Sequence, residues 1–468
     1  MKKLLAILVL GIGIVLTIPK SVQAVDNCNV TVDGSYGFPN KIHYCNDDDE
    51  MEISVTMTRN WALADLNSKT ADDVSITITA SGSMLSNKNG ASAITGNGTD
   101  GATIVNAGTV RAGVNTINFN TGTNVTITNQ SGGVIKAEHS SQQARPTAIK
   151  ASGTGLTIDN SGDITSTGAR TIIAGGTNAT ITNNSGGTIQ AATYGLKGTA
   201  TNSETSITNS GNIYGTTNRA IHITGSEYTI TNESGGLIRA GSDGSTNTGH
   251  ILAVEAVSGG TNLTLNNYGT ITAGANTIKT VSTGMTLTNH SGGTISGTAD
   301  GSTLKTIFVD GNNNTIENYG TISGAGDTNS INVDSGITGT NIIIHGSSTI
   351  TGEIDLESTA TAITLSCDFT SNMDVEVESK TNMTITNNLC GNDTYEILDS
   401  SKNADADNSE TNGYLRILGE DLEIAQNNPK YRSENVLTKM RGLFDAANYI
   451  NWHFPEDKMF KIFHSTQK

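Results

Sequence analysis

Between residues 100 and 325 the chain repeats one pattern of alternating apolar and polar positions, seen most fully in Thr126-Ile127-Thr128-Asn129-Gln130-Ser131-Gly132-Gly133-Val134-Ile135-Lys136-Ala137. Aliphatic residues take every second place within short runs, the side-chain period of a β-strand, and no 3.6-residue stripe crosses the surrounding Gly, Asn, Thr and Ser. Aligning each aliphatic residue that stands two places before an Asn brings Asn106, Asn129, Asn160, Asn183, Asn209, Asn232, Asn267, Asn289 and Asn318 into register, at steps of 23, 31, 23, 26, 23, 35, 22 and 29 residues. Short and long steps alternate. The turns alternate too: Ser-Gly-Gly follows Asn129, Asn183, Asn232 and Asn289, and a tighter turn with one Gly follows the other five. The repeating unit is therefore a pair of coils, 49 to 58 residues long.

Each coil offers three short strands. The first holds the residue equivalent to Ile127 and the second, past the Gly turn, that equivalent to Ile135. The third holds an apolar pair: Ile172-Ile173, Ile221 and Ile223, Leu252 and Val254, Ile278 and Val281, Ile307 and Val309, or Ile331 and Val333. Such a coil cannot bury its apolar face alone, so like must stack on like at roughly 4.8 Å per coil. The fold expected is all-β, a right-handed parallel β-helix with a short C-terminal α-helix. The recurrent Asn is expected at the tight corner in the left-handed conformation, its amide laddering with those above and below. Nothing in this motif is chemical; it reads as scaffold.

The same patterning divides the chain. Residues 1–24 read as a signal peptide, with Lys2-Lys3, an apolar run from Leu4 to Ile18 and the small-residue end Val22-Gln23-Ala24. Residues 25–73, with Trp61, Tyr36, Tyr44 and Phe38, read as an N-terminal cap over the open end of the solenoid. Coils are expected from 74 to 398, followed by a polar linker at 399–432. Residues 433–451 form the amphipathic helix, with Val436, Leu437, Met440, Leu443, Phe444, Ala447 and Ile450 on one face, Ser433 as N-cap and Pro455 as stop. A tail, 452–468, ends the chain.

Composition narrows the function. A formal charge of −17 with only 27 Lys and Arg argues against nucleic acid as a partner or an anionic membrane surface as a docking site. Hydrophobic residues at 35%, with 53 Gly, suit a chain that packs a core. The acidic run Asp47-Asp48-Asp49-Glu50 lacks the ligand spacing and Gly of a calcium loop, and no other cofactor or metal motif is present. In an exported protein four cysteines imply disulfides. Cys28 pairs locally with Cys45, and Cys367 with Cys390, whose 23-residue separation equals one short coil step.

The signal peptide, the Thr-Ile-Thr-Asn-x-Ser-Gly-Gly-x-Ile and Asn-Tyr-Gly-Thr-Ile coils and a helix beyond them make residues 25–451 resemble a bacterial autotransporter passenger. The resemblance implies export through the inner membrane and a place on the cell surface, or release, with a structural or adhesive role towards glycans or other cell-surface ligands. Members of that family end in an outer-membrane β-barrel, whose strand series is absent before Lys468. It therefore implies a translocator encoded separately, a frame truncated before its barrel, or a protein that is released, in the periplasm where no translocator is available.

Two other functions fit a parallel β-helix. A polysaccharide lyase or hydrolase needs acid and base on one strand face; His222 and Arg145 are the best isolated candidates, and neither shows a carboxylate partner at a one-coil spacing. The expectation is thus no enzyme. An ice-binding surface needs a flat double ladder of Thr such as Thr126/Thr128 and Thr180/Thr182, but Asp159, Asn266 and Glu317 interrupt it. The variable coil lengths point elsewhere. Extra residues fall at one corner, between second and third strands: Glu138 to Thr147, Gly241 to Gly249 and Gly297 to Ser302. These insertions carry His139, Arg145, Asp243, His250 and Asp300, the candidate ligand-binding residues.

Overall fold

The computed structural model describes residues 43–366, apart from 46, 60–63, 67–71, 87–91, 139–145, 200–203, 242–250, 258, 275, 301–303, 327, 347 and 359, and the strand segments 30–32, 373–377, 384–386, 395–399 and 412–417. Every regular element among them is a strand. The strands form three sheets of 15, 12 and 16, in which each strand of a coil pairs in parallel with its counterparts one coil before and after. This is a parallel β-solenoid, as the alternation of apolar and polar positions requires.

The register matches the alignment by Asn. In the first sheet Ile104, Ile127, Ile158 and Ile181 are successive partners. In the second sheet Val110, Ile135 and Ile164 stack, and in the third Ile117, Ile149 and Ile172 do so. All are fully buried. Each such side chain contributes about 1.5–3 kcal/mol when removed from water. A one-residue slip would turn all of them outward, so the hydrophobic pattern itself fixes the register.

The Asn ladder forms, but in a different conformation from the one expected. Asn106 to Asn318 close the strands of the first sheet with their side chains buried inside the coil, and none has a positive φ. Eight amide-to-amide hydrogen bonds of 2.7–2.9 Å run upward through the column, each Nδ2 donating to the Oδ1 of the next coil. Isoleucines terminate it, Ile78 below Asn106 and Ile344 above Asn318. The left-handed corner lies elsewhere, two residues before the first-sheet strands that begin at positions 50 to 315, with the equivalent Gly339 just inside the strand Thr338–Ile344. Asp48, Asp73, Asn124, Asn178, Glu204, Glu227, Asn262 and Asn313 occupy it, with Gly101, Gly155, Gly284 and Gly339 in the remaining coils. Of the two turn glycines, Gly132 needs its positive φ of 80°. Gly133 is required by space: a Cβ there would lie 2.5 Å from the carbonyl oxygen of Asn106 and 2.6 Å from Oδ1 of Asn129.

The boundaries differ from those read in the sequence. Stacking begins before residue 74, since Glu50–Ile53, Thr56–Arg59 and Ala64–Asp65 already enter the three sheets, and Val30–Val32 pairs with the first of them. At the other end Met373–Val377 continues the parallel third sheet, but Asn412–Ile417, within the expected linker, pairs antiparallel with it and with Tyr395–Asp399. Reversing direction there covers the open edge of the sheet with its own chain. The signal peptide and the helix at 433–451 lie outside the described residues. Cys45 is fully buried and is not a free thiol; Cys28, Cys367 and Cys390 lie outside the described residues, so both pairings stand as proposals.

Candidate functional site

Stacking in register gives each sheet outer columns in which residues of successive coils lie side by side. In the first sheet these read Thr126, Thr157, Thr180 and Thr128, Asp159, Thr182, and none of its strands contains Lys or Arg. The single column through Thr126 is nearly all Thr and Ser, while the second is interrupted by Val105, Asp159, Asn266 and Glu317. The third sheet is different. Its column beside the buried Ile reads Asn118, Lys150, Ile173, Lys197, His222, Glu255, Lys279, Phe308, Asn332 and Asp355. The parallel column reads Asn115, Thr147, Arg170, Tyr194, Arg219 and Leu252.

At the centre of this face, Glu255 accepts hydrogen bonds from Arg219 Nη2 at 3.0 Å and is paired with His222 Nδ1 at 2.6 Å. Arg219 Nε also closes on the same carboxylate, and its Nη1 donates to Asn218 Oδ1 at 2.7 Å. The three side chains are only 14%, 12% and 8% exposed for Arg219, His222 and Glu255. Burial pushes the Glu255 carboxyl up, but the hydrogen bonds and positive charge of His222 and Arg219 outweigh it and hold the group below its ordinary value. The Tyr194 ring lies 5.1 Å from the His222 ring, and Lys197 and Arg219 each approach within 5.8 Å of its centroid. Four coils further on, Asp355 accepts from Lys305 Nζ at 3.1 Å and from Asn329 Nδ2 at 2.8 Å.

This corrects the reading that His222 lacks a carboxylate at a one-coil spacing. Glu255 is its direct partner in the parallel ladder. The 33-residue separation hid it, because an insertion lies between the two strands. The signal was present: His222 follows Ile221 as Glu255 follows Val254, and those apolar pairs define the third strand. Of the loop residues, His139, Arg145, Asp243 and His250 lie outside the described residues. Asp300 closes the strand Thr294–Asp300, opposite Ala325 after a register shift. In chain order the segments 139–145, 242–250 and 301–303 lead into the third-sheet strands Thr147–Ala151, Leu252–Ala256 and Lys305–Val309. In chain order, then, each insertion precedes a strand of the charged face, and the second of them immediately precedes the strand of Glu255.

A second group of rings occupies the corner after the first sheet. Tyr268 stacks on His290 at 3.9 Å and Tyr319 on His345 at 3.7 Å, with 6.4 Å between His290 and Tyr319. Glu317 accepts from Tyr319 Oη at 2.6 Å and pairs with His345 Nε2 at 3.0 Å. The hydrogen bond to Glu317 pushes the Tyr319 hydroxyl up to about 12, and burial pulls His290 down. Sequence reading missed this ladder because it sought residues within the strands, and these rings stand just beyond them, Tyr268, His290 and Tyr319 one place after the Asn and His345 one place after Ile344. Among the described residues no group of three or more His, Cys, Asp or Glu is placed to hold a metal ion. No protein-family model, curated protein or solved structure matches the chain.

Proposed function

We propose that this protein is an exported adhesive scaffold of the autotransporter-passenger type, displayed on the cell surface or released, and without catalytic activity of its own. The observation that carries the reading is the sidedness of the solenoid. Lys150, Arg170, Lys197, Arg219, Lys279 and Lys305 lie in the third sheet and Arg59, Arg111, Lys136 and Arg239 in the second, whereas the first-sheet strands hold no Lys or Arg at all. The chain insertions lead into that same face. A rod built from hydrogen-bonded ladders resists bending, and recognition groups on one side of it can be held away from a cell. The resemblance of the coils and of residues 1–24 to an autotransporter passenger supports the export part, with a separately encoded outer-membrane translocator as partner. Beads coated with the mature chain, from Val25 onward, are expected to adhere to cells or immobilised glycans where uncoated beads do not. Equal adherence of coated and uncoated beads sinks the proposal.

The His222–Glu255 pair supports a second reading, a polysaccharide-acting enzyme. The carboxylate there is already engaged by Arg219 and His222, an arrangement that suits a fixed counter-charge better than a proton carrier. Incubation with polyuronate and neutral polysaccharides, followed by reducing-end and unsaturated-product assays, separates the two. Turnover lost in Glu255→Gln would establish the enzyme instead.

A further inference from the structure

We infer that the side chains of Lys305 and Asn329 become joined by an amide bond that the folded chain makes by itself, with Asp355 carrying the protons. The inference goes beyond the adhesive reading and does not depend on it. The three residues stand on consecutive coils of the third sheet, in the strands Lys305–Val309, Asn329–Val333 and Ile354–Leu356. Lys305 and Asn329 are direct partners in the ladder. Both side chains run towards the same oxygen: Asp355 Oδ2 accepts from Lys305 Nζ at 3.1 Å and from Asn329 Nδ2 at 2.8 Å, and it accepts from Asn332 Nδ2 at 2.5 Å as well. An amine and a carboxamide thus share one carboxylate oxygen. The cluster is shielded from water, since Asn329, Asn332 and Asp355 are buried and the Lys305 side chain is only 17% exposed.

The step needs no reagent from outside. Asp355 takes one proton from the Nζ ammonium, and the neutral amine attacks Cγ of Asn329. A second Nζ proton passes to Nδ2, the bond between Cγ and Nδ2 breaks, and the new bond between Cγ and Nζ remains. The freed nitrogen collects the proton held by Asp355 and leaves as ammonium, so that the carboxylate is regenerated and nothing is oxidised or reduced. Holding the amine beside the acyl group replaces an encounter between two molecules by a rearrangement within one. The carboxylate supplies general base and acid in turn, and burial limits competition from water. The position suits a clamp. The last rung of the internal Asn ladder joins Asn289 to Asn318, and Lys305 and Asn329 belong to those same two coils. A bond between them would fix covalently the step above which Ile344 ends the ladder.

The test is the intact mass of the full mature chain, denatured and reduced, followed by tryptic mapping with fragmentation of the peptides. Wild type is expected to be lighter than its sequence by one ammonia, to resist cleavage after Lys305, and to yield a branched peptide joining Lys305 to Asn329. Lys305→Arg and Asp355→Asn are each expected to have the full mass of their own sequence. Lys279→Arg keeps the loss, because Lys279 has Glu255 and Phe308 as ladder partners and no carboxamide beside it. Circular dichroism establishes that the variants are folded, and the wild-type map decides the matter even where one of them is not. Full mass with trypsin cutting after Lys305 means an ion pair only and overturns the inference. So does a branch to Asn332 or to Asp355, a loss of ammonia without any branched peptide, or a branch that persists in Asp355→Asn. None of these readouts involves adherence, so their failure leaves the adhesive reading where it stands.

Discussion

Replacing Asn183 by Ala probes the internal ladder at its middle. Asn183 Nδ2 donates to Asn209 Oδ1 at 2.8 Å, to the Gly187 carbonyl at 3.2 Å and to the Asn212 carbonyl at 3.1 Å, and Asn183 Oδ1 accepts from Asn160 at 2.7 Å. After truncation Asn160 keeps its bonds to the Gly162 and Thr188 carbonyls, but Asn209 Oδ1 is left buried without its ladder donor. With about 1 kcal/mol net for each of these four hydrogen bonds and about 1–3 kcal/mol for an orphaned buried acceptor, the cost is roughly 5–7 kcal/mol. Asn318, at the top of the ladder, is the control. Its Nδ2 already has no partner, and its Oδ1 accepts only from Asn289 and the Gly320 amide, each of which has another acceptor. Asn318→Ala should therefore cost roughly 1–2 kcal/mol. The assay is urea denaturation followed by circular dichroism, with the slope checked because solenoids can unfold in parts. Losses equal within about 0.5 kcal/mol would refute the argument that the column acts through its continuity.

Three further outcomes follow from the same structure. Because the Glu255 carboxyl lies below its ordinary value of 4.5 in the folded chain, its contribution is fully present above that pH and is lost as pH falls through the folded value; Glu255→Gln should cost about 2–3 kcal/mol at neutral pH, with the difference from wild type shrinking in acid, and thermal melts from neutral to acid pH read the trend. Exchanging the insertions Glu138 to Thr147, Gly241 to Gly249 and Gly297 to Ser302 for the three or four residues of the short coils should leave the melting temperature nearly unchanged, because surface-loop length costs little, yet reduce adherence; unaltered adherence by the folded variant removes these insertions from the site. Non-reducing peptide mapping should find Cys28–Cys45 and Cys367–Cys390, each stabilising by roughly 3 kcal/mol, and any cross-pairing contradicts the assignment.

The coils were legible in the sequence because their cause is local: a strand period of two, a Gly turn and an Asn at fixed offset recur often enough to set the register of all three sheets. The conformation of the Asn was not legible. Its tolerance of the left-handed region suggested a corner, whereas its capacity to donate and accept along the stacking axis places it inside, and the corner falls to the residues at Asn124 and its equivalents. The solenoid ends were misplaced because the first and last coils carry Met, Glu and Tyr in place of the Ile and Asn signature. Glu255 was hidden by counting residues instead of coils. The ring ladder from Tyr268 to His345 was hidden because its members are unremarkable singly, and only a stacking rise near 4.8 Å turns them into one surface.

The most direct test of the central claim, that the third-sheet face is where this protein meets its target, is bead adherence by two variants of the mature chain. One replaces Tyr194, Lys197 and Lys150 by Ser on the third sheet; the other replaces Thr126, Thr180 and Thr229 by Ala on the first, and both are compared at equal coating density after their circular dichroism spectra are matched. Adherence lost with the third-sheet variant and retained with the first-sheet variant is the result predicted. Retention by the former, or loss by the latter alone, contradicts the account.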